Sequence, residues 1–410
     1  MSRSIGILSG PYRVDDQLGG IGLRLWEIAQ VLADAGHHVT VAAPHPSDFA
    51  HPGVRIIADR ENEVLDSCDV LLTTDLPDTR LLLKAYEQGT LIVAENAPPI
   101  EHLHFDTLAG PDAQSLYEDT VARWRLQLLL ADHLLIRSEA ERASTLGALV
   151  ATSRMSAAHH HTDRGLSHLV SLVPIGYNQH SLAAATKAPR VEDGVCDLLW
   201  NGGIWDYCHP APVLAALTHL RDPAPTLRLL YEPSPPRRAA LQEQAEELKV
   251  ADRVLWPSGP IPHRGRDGWL KAARALVITG ERTAENMTCH RLRLRDAALY
   301  RLPVVTDGYG ATGDLVRGLG IGPVVDPADP EALAAALHQA TSDGPARTQY
   351  LTALAGAQDR FTLEQHLTGL LDLLDVGRPA PDRGQSRHRN TIRDLLDQHP
   401  ALRQQPPAII

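Results

Sequence analysis

Cysteine is scarce in this 410-residue sequence, and its four copies lie far apart, without a CxxC pair. This spacing argues against a disulfide framework or a cysteine-based zinc site and favours a reducing compartment. Long apolar runs are also missing, since no stretch reaches the roughly 18 continuous apolar residues that a membrane helix needs. The opening MSRSIGILSG has no long apolar region and no cleavage site, so we expect no signal peptide. These absences predict a soluble, cytoplasmic protein.

Positive charge is in short supply as well. The chain has 39 Lys and Arg against 50 Asp and Glu, a formal charge of −11, and lysine is nearly absent while arginine is plentiful. A nucleic-acid partner is therefore not expected, because binding a phosphate backbone needs a positive face. The length suits two domains with an end segment.

Short apolar runs alternate with longer amphipathic stretches from Ser4 onward, the pattern of a parallel sheet covered by helices. The pattern restarts near Asp197, so we predict two similar α/β halves with a ligand between them. The first helix should end at Gly36, residues 151–165 should form a polar loop, and residues 183–194 a linker. The predicted strands cover residues 5–8, 38–43, 54–58, 69–73, 90–94, 133–137, 171–174, 197–201, 227–231, 253–256, 275–279, 304–306 and 322–325.

A glycine motif, Gly19-Gly20-Ile21-Gly22, follows the first predicted strand and opens the first helix. Glycine lets the backbone approach an anion closely, and a helix N-terminus directs free N–H groups at it. We therefore expect Gly19 and Gly20 to contribute to the binding of an anionic ligand. A tight strand-to-helix turn that needs positive φ explains the same residues equally simply.

A second glycine motif, Asn201-Gly202-Gly203-Ile204-Trp205-Asp206, ends the first strand of the second half. Its amides are placed to meet an anion such as a diphosphate, so we expect Gly202, Gly203 and Ile204 to bind this ligand, with Trp205 as a wall of the pocket. The alternative is a packed turn with a core tryptophan.

Four segments together resemble family 4 glycosyltransferases and span about residues 1–375. They are SGPYRVDDQLGGIGLRLWEIAQVLADAGHHVTVAAP, VPIGYNQ, LLWNGGIWDYCHP and RDAALYRLPVVTDGYGATGDLV, the third being similar to the G-G-I-W-D-W signature of one bacterial branch. The resemblance implies two Rossmann-like domains facing each other across a cleft, the GT-B fold, in a retaining glycosyltransferase. Its sugar donor would be a nucleoside-diphosphate sugar, and this donor is then the ligand expected at both glycine motifs. The resemblance places an acceptor-binding domain at residues 1–182 and a nucleotide-sugar domain at 195–360. A helix over 361–375 is expected to pack back toward the first domain, and residues 376–410 to form a flexible tail.

The sequence departs from the family at its phosphate site. Most members carry Gly-Arg-Leu and a nearby lysine where this chain has Gly203 and Cys208. The usual Glu-x7-Glu pattern is degenerate, because it falls on Thr288 and Asp296. A different phosphate neutraliser is therefore required.

Members of the G-G-I-W-D branch carry a motif similar to H-L-E-T-R-x-S-x-R-x-R-x-x-D. Matched within residues 279–296 of this chain, the motif places its glutamate on Glu285 and its arginines on Arg291 and Arg293. By this resemblance, Glu285 binds hydroxyls of the donor and Arg291 is the preferred phosphate neutraliser, because a guanidinium holds two phosphate oxygens at once. Arg293 is expected at the donor as well. Backbone groups near Gly259 and Ile261 resemble those that contact the base. A solvated arginine-rich face with ion pairs is the alternative.

Acceptor binding is expected from the loop after a buried strand of the first half and from acidic residues after the first strand. Carboxylates gathered there would suit an amino-bearing acceptor, although polar surface loops explain each residue as well. The residues concerned are Asp15, Asp16, Glu95, Asn96, Glu101 and His102.

No cofactor or metal is expected. His102 and His104, and the run His159–His161, have no third ligand at a recognisable spacing, and no DxD motif ends a strand. No GxSxG motif is present, which fits a mechanism without a protein nucleophile; an inverting enzyme would need a base such as Asp16 or His102. Two rivals stay open: a nucleotide-sugar-binding protein without transfer activity, and a nucleotide-sugar epimerase on the same fold. The composition favours a role in secondary metabolism.

Overall fold

The computed structural model describes residues 2–95, 108, 110–192, 196–221 and 225–404. The chain forms two compact units. The first unit comprises the residues up to Asp15, Ile21–Pro174 and the residues from Leu363 onward, and the second comprises Asp16–Gly20 and Ile175–Thr362. The chain thus enters the second unit within the VPIGYNQ segment. The expected domain limits at 182 and 195 lie further along the chain.

The first unit is built on a seven-stranded, fully parallel sheet in the order β3-β2-β1-β4-β5-β6-β7. The inner strands β4, β5 and β6 are buried along their whole length, because helices cover both faces of a parallel sheet. The strands are β1 (Ser4–Leu8), β2 (His38–Ala43), β3 (Val54–Ala58), β4 (Val70–Thr74), β5 (Leu91–Glu95), β6 (His133–Ile136) and β7 (Val170–Leu172).

Helices of the first unit follow the strands, and Gly36 comes just after the end of α1 with a φ of 92°, a left-handed conformation that glycine adopts readily. The region 151–165, expected to be a loop, contains a short helix instead, α6. The helices are α1 (Gly20–Asp34), α2 (Glu61–Asp66), α3 (Thr79–Gln88), α4 (Ala113–Leu130), α5 (Glu139–Ala151), α6 (Ala157–Thr162), and, after the second unit, α16 (Leu363–His366), α17 (Thr368–Val376) and α18 (Ser386–Gln398).

The second unit repeats this architecture with a five-stranded parallel sheet in the order β10-β9-β8-β11-β12. The expected strand at 322–325 is reduced to a single bridge between Thr306 and Val324. The strands are β8 (Leu198–Trp200), β9 (Leu227–Leu229), β10 (Val254–Leu255), β11 (Ala275–Ile278) and β12 (Val304–Thr306). The helices are α7 (Gln179–Lys187), α8 (Ala211–Leu217), α9 (Pro235–Glu247), α10 (Arg266–Ala272), α11 (Ala284–Thr288), α12 (Leu294–Tyr300), α13 (Ala311–Leu319), α14 (Pro330–Thr341) and α15 (Pro345–Ala357).

Both units are therefore Rossmann-like α/β folds. Among the helices of the described residues, none combines the length and apolarity needed to cross a membrane. The four cysteines all lie in described parts of the chain and form no disulfide.

The C-terminal segment, residues 380–404, is more ordered than its composition suggests. It carries α18, whose Ile392, Leu395 and Leu396 are buried in an apolar cluster of the first unit. Asp382 is also buried and lies 2.8 Å from Nε of Arg154. The sequence suggested one short helix near residues 391–398 in an otherwise loosely ordered tail; the structure has a longer helix, Ser386–Gln398, and adds a buried ion pair that the Pro- and Arg-rich composition did not indicate.

A buried histidine, His133, begins β6 in the first unit. Its Nδ1 lies 3.0 Å from the carbonyl oxygen of His168, and its Nε2 lies 2.8 Å from Oγ of Ser171. A neutral ring satisfies both neighbours, with Nδ1–H donating and Nε2 accepting the serine hydroxyl. Burial lowers the pKa of His133 to about 4.

We expect His133 to make the fold acid-sensitive between pH 6.5 and about 4. In this window the unfolded chain protonates the ring and the folded chain does not, so the stabilisation is complete above pH 6.5 and is lost as the pH falls toward 4. The full effect is about 3 kcal/mol in the free energy of unfolding. Denaturant titrations at several pH values should give a flatter pH profile for His133→Gln, and an unchanged one for the exposed control His160→Gln. Parallel profiles for wild type and His133→Gln would disprove the assignment.

Candidate functional site

The second glycine motif lies directly after β8, at the carboxyl edge of the second sheet. Strand β8 pairs with β9 on one side and with β11 on the other, so the chain reverses its direction of strand addition between β8 and β11. Ligands of open α/β sheets bind beyond the carboxyl ends of strands at such a switch point. A ligand of this unit is therefore expected at the loops after β8 and β11.

Two tryptophans frame the loop after β8 in different ways. Trp200, the last residue of β8, is fully buried, and its Nε1 donates to the carbonyl oxygen of Gly203 at 3.2 Å. Trp205 is 39% exposed, with the guanidinium of Arg237 5.7 Å from its ring, while Ile204 is buried. Trp205 is thus not the core tryptophan that the alternative interpretation required.

Gly202 has a steric reason to be glycine. A Cβ atom built there would lie 2.4 Å from Cζ of Arg293. The guanidinium of Arg293 lies over the ring of Trp200, 4.6 Å from its centroid, and its Nη2 donates to Gly203 O at 3.1 Å. Gly202 therefore admits an arginine against its backbone, where the sequence suggested direct access for a phosphate.

Glu285 and Arg291 come together after β11. Glu285 lies in α11 and is only 2% exposed, and Arg291 Nη1 donates to its carboxylate at 3.3 Å. The ring of Tyr207 covers the guanidinium of Arg291, with 4.6 Å between Cζ and the ring centroid. Burial works against the charge of Arg291, but Cys208, Glu285 and Tyr207 outweigh it and raise the pKa of the guanidinium. Arg291 is therefore a permanent cation.

Each of these arginines keeps one donor open. Nη2 of Arg291 and Nη1 of Arg293 are buried and have no hydrogen-bond partner among the residues that the structure describes. A buried N–H group of a cation without a partner is costly, and an oxyanion is the ligand that would relieve the cost. Arg293 bonds to Gly203, and Arg291 lies over Tyr207, the neighbour of Cys208, so both cations lie at the loop that lacks the arginine and lysine expected from the resemblance.

Asp296, the carboxylate that remains of the degenerate Glu-x7-Glu pattern, is bonded to other side chains of the protein. It lies at the start of α12 and is buried within 2.6 Å of Arg266 and 2.7 Å of Arg295. Asn201, directly after β8, donates to its other oxygen at 2.8 Å. This network ties α10, α12 and the end of β8 together beneath the glycine loop.

Sequence reasoning missed two residues of this site, Tyr207 and Asn286. Nδ2 of Asn286 donates to the carbonyl oxygens of Tyr207 at 2.7 Å and of Glu281 at 2.6 Å, which joins the loops after β8 and β11. Tyr207 occupies the last position of the G-G-I-W-D-W signature, so an aromatic side chain there was a usable signal. Asn286 left no such signal.

The first glycine motif is divided between the two units, with Gly19 and Gly20 in the second unit and the residues from Ile21 onward in the first. Neither Gly19 nor Gly20 adopts positive φ, so the turn interpretation does not explain them. A Cβ on Gly20 would lie 3.2 Å from Cδ1 of Leu292, the residue between Arg291 and Arg293 in sequence, whereas one on Gly19 would meet nothing within 4 Å. Donor binding by these glycines stays a prediction.

The acidic residues predicted for the acceptor have structural partners instead. Asp15 pairs with Arg13 at 2.7 Å. The carbonyl oxygen of Asp16 accepts from the backbone N–H of His263 at 2.7 Å, and its carboxylate accepts from that of Arg264 at 3.1 Å. Both fasten loops of the fold, and their role toward an acceptor stays a prediction.

Glu95 ends β5, where it is buried and bonded to Nε of Arg24 at 2.7 Å. The same arginine donates to the carbonyl oxygens of Val173 and Pro174. These contacts give the carboxylate a structural partner, and its role toward an acceptor stays a prediction. The other predicted acceptor residues, Asn96, Glu101 and His102, lie outside the described residues, as does His104.

Gly259 and Ile261, predicted near the nucleotide base, follow the edge strand β10. Gly259 has a φ of 154°, at the limit of the backbone region that favours glycine. Ile261 is half-buried, and its Cγ2 would lie 3.8 Å from a Cβ atom built on Gly265. They lie after a different strand from the two arginines, and their role toward a nucleotide base stays a prediction.

Comparison with solved structures identifies the fold as the GT-B fold found in glycosyltransferases. No protein-family model matches the chain, and no curated protein does so either. Among solved structures, sucrose-phosphate synthase from Thermosynechococcus elongatus superposes with a TM-score of 0.67 at 18% identity, covering 91% of this chain and 99% of that one. HepE from Anabaena in complex with UDP gives 0.62 at 16% (92% and 100% covered), and WaaG, a glycosyltransferase of lipopolysaccharide biosynthesis, gives 0.60 at 17% (90% and 99%).

Proposed function

We propose that this chain transfers a sugar from a nucleoside-diphosphate sugar to a small-molecule acceptor, with retention of anomeric configuration. One observation carries the proposal: Arg291 and Arg293 each have one buried guanidinium nitrogen without a hydrogen-bond partner among the described residues, at the switch point of the second sheet. A diphosphate leaving group presents the oxyanions that such a pair binds. The UDP complex of the similar HepE fold supports a nucleoside diphosphate as the ligand class.

The chemistry follows from where charge develops. The bond between the anomeric carbon and the diphosphate oxygen breaks, a bond to the acceptor oxygen or nitrogen forms, and the acceptor proton passes to the departing phosphate. Arg291 and Arg293 stabilise the charge that grows on the diphosphate, which is the largest contribution a preorganised site makes. Glu285, fixed by Arg291, is assigned to the hydroxyls of the donor.

The positions of Arg291 and Arg293 bear on whether the chain has transferase activity. The loop after β8 has lost the family's Arg and Lys, which favoured a binding protein without transfer. Because Arg293 bonds to Gly203 of that same loop and Arg291 lies over its Tyr207, the site keeps two positive charges. This supports the transferase over the inactive relative. We also propose that transfer needs no metal ion and serves a cytoplasmic pathway of secondary metabolism.

The test is a screen in two stages. Thermal shift and calorimetry with UDP, GDP, ADP and dTDP identify the base, and the matching sugar nucleotides are then incubated with and without amine- and hydroxyl-bearing acceptors, in EDTA and in Mg²⁺. Release of the nucleoside diphosphate that depends on acceptor, with the product linkage assigned by NMR, is the expected result. Binding without turnover would indicate the inactive relative, conversion of the sugar without acceptor would indicate an epimerase, and no binding of any nucleotide would refute the proposal.

Gly202→Ala is expected to weaken nucleoside diphosphate binding by about 10- to 100-fold, the worth of one or two charge-assisted hydrogen bonds. The added methyl group displaces Arg293, whose guanidinium lies 2.4 Å from the new Cβ position, yet the flexible side chain can move at little cost in stability. Calorimetry should show the loss of affinity with a nearly unchanged melting temperature. Gly318→Ala in α13, where a Cβ would meet nothing within 4 Å, is the control that keeps wild-type affinity. Unaltered affinity in Gly202→Ala would remove Arg293 from the site.

A further inference from the structure

Arg291 is held from two sides in the second unit. Nη1 is bonded to Glu285 at 3.3 Å, and Cζ of the guanidinium lies over the ring of Tyr207, 4.6 Å from its centroid. Nη2 is buried and has no hydrogen-bond partner within the described part of the chain. The arrangement therefore fixes the arginine while leaving one of its donors open.

A single bond to Glu285 does not fix a guanidinium by itself. An arginine beside a carboxylate turns readily to the two-bond, parallel arrangement, which would occupy Nη2 as well. An aromatic face that attracts the cation fixes the plane of the group and opposes that rotation. The ring thus decides which donor stays open.

Tyr207 is itself rigidly placed. Its carbonyl oxygen accepts from Nδ2 of Asn286 at 2.7 Å and from the backbone N–H of Glu281 at 3.0 Å. The neighbouring Cys208 exchanges two backbone hydrogen bonds with Trp205 at 2.9 and 3.0 Å. Burial raises the pKa of the Tyr207 hydroxyl, so the ring stays neutral at physiological pH.

The same device occurs a second time in the site. Arg293 lies over Trp200 at the same 4.6 Å, with one nitrogen bonded to a protein oxygen and the other open. Two cations are thus each held by one aromatic face and one acceptor. Repetition in two arginines that are two positions apart indicates a common purpose, the presentation of one open N–H per arginine.

We propose that Tyr207 is the positioning residue for Arg291, and that its ring keeps Nη2 directed at the phosphate of the donor. This inference rests on the proposed function, because it takes a nucleoside diphosphate as the ligand. Tyr207 acts through Arg291 and needs no contact with the substrate.

The test compares Tyr207→Phe, which keeps the ring, with Tyr207→Leu, which removes it at similar size. We expect Phe to retain nucleoside diphosphate affinity within about twofold and Leu to lose about 10- to 30-fold, the range of a desolvated cation–π contact. Tyr207→Met is a second non-aromatic variant should the leucine variant fold poorly. The nucleotide used is the one that binds the wild type most tightly.

A double-mutant cycle with Arg291→Gln separates positioning from general damage to the fold. In the Arg291→Gln background, Tyr207→Leu should cause no further loss of affinity, because the group it positions is gone. Losses that simply add, or a leucine variant that binds like the wild type, would overturn the role of Tyr207. A wild-type protein that binds no nucleoside diphosphate would instead refute the proposed function itself.

Discussion

Replacing Arg291 with glutamine is expected to lower the turnover number for sugar transfer by about 100- to 1,000-fold, the usual cost of losing one preorganised group that stabilises transition-state charge. Glutamine keeps a donor near the phosphate but loses the charge. Because negative charge on the diphosphate grows as the sugar leaves, the turnover number should fall further than the affinity for the donor. Steady-state kinetics with the donor identified by the nucleotide screen measure both quantities.

Two further variants make this expectation specific. Arg291→Lys restores the charge without the planar group that lies on Tyr207, so its turnover should fall between those of the wild type and Arg291→Gln. Arg317→Gln removes an exposed arginine of α13 that pairs with Asp314 and should leave the kinetics unchanged. A turnover number within a few-fold of wild type in Arg291→Gln would show that the phosphate charge is met elsewhere.

Much of the architecture could be predicted from the sequence because strand signals are local. The runs at 38–43, 54–58 and 304–306 are short and rich in β-branched residues, which favour strands, and the structure has strands with these limits. The run at 322–325 forms only a single bridge to β12, and its Gly322 approaches that strand so closely that a Cβ would lie 1.9 Å from the backbone oxygen of Val304. Contacts of this kind depend on distant residues and are not visible in a local pattern.

The site was only partly visible for a related reason. Arg291 and Arg293 could be named because a resemblance aligned them, but their contacts with Tyr207 and Gly202 depend on how two loops meet at the switch point. Gly202 is the clearest case, because its glycine suggested access for phosphate and the structure fills that space with a guanidinium. The side chain that a glycine accommodates cannot be read from the glycine itself.

The C-terminal segment shows how far composition can mislead, and it provides the prediction with the largest effect on stability. Asp382 contacts Arg154 at 2.8 Å, His159 at 3.1 Å and His388 at 3.4 Å, with the aspartate and arginine side chains only 2% and 1% exposed. Arg154 and His159 belong to the body of the first unit, so this carboxylate fastens the segment to it. A charge in such a place is tolerated only with its partner.

Asp382→Ala is therefore expected to lower the free energy of unfolding by about 3–5 kcal/mol, because it leaves the buried Arg154 guanidinium without its counter-ion. Asp397→Ala is the matched control: it removes the partner of Arg403 in an exposed pair 3.6 Å long, and its cost should stay below about 1 kcal/mol. The double variant Arg154→Met with Asp382→Leu should recover most of the loss, since it removes both charges together. Urea denaturation measures all three, and equal stability of Asp382→Ala and Asp397→Ala would mean that the ion pair does not hold the segment. The order of the segment then would come from Leu395, Leu396 and their apolar neighbours alone.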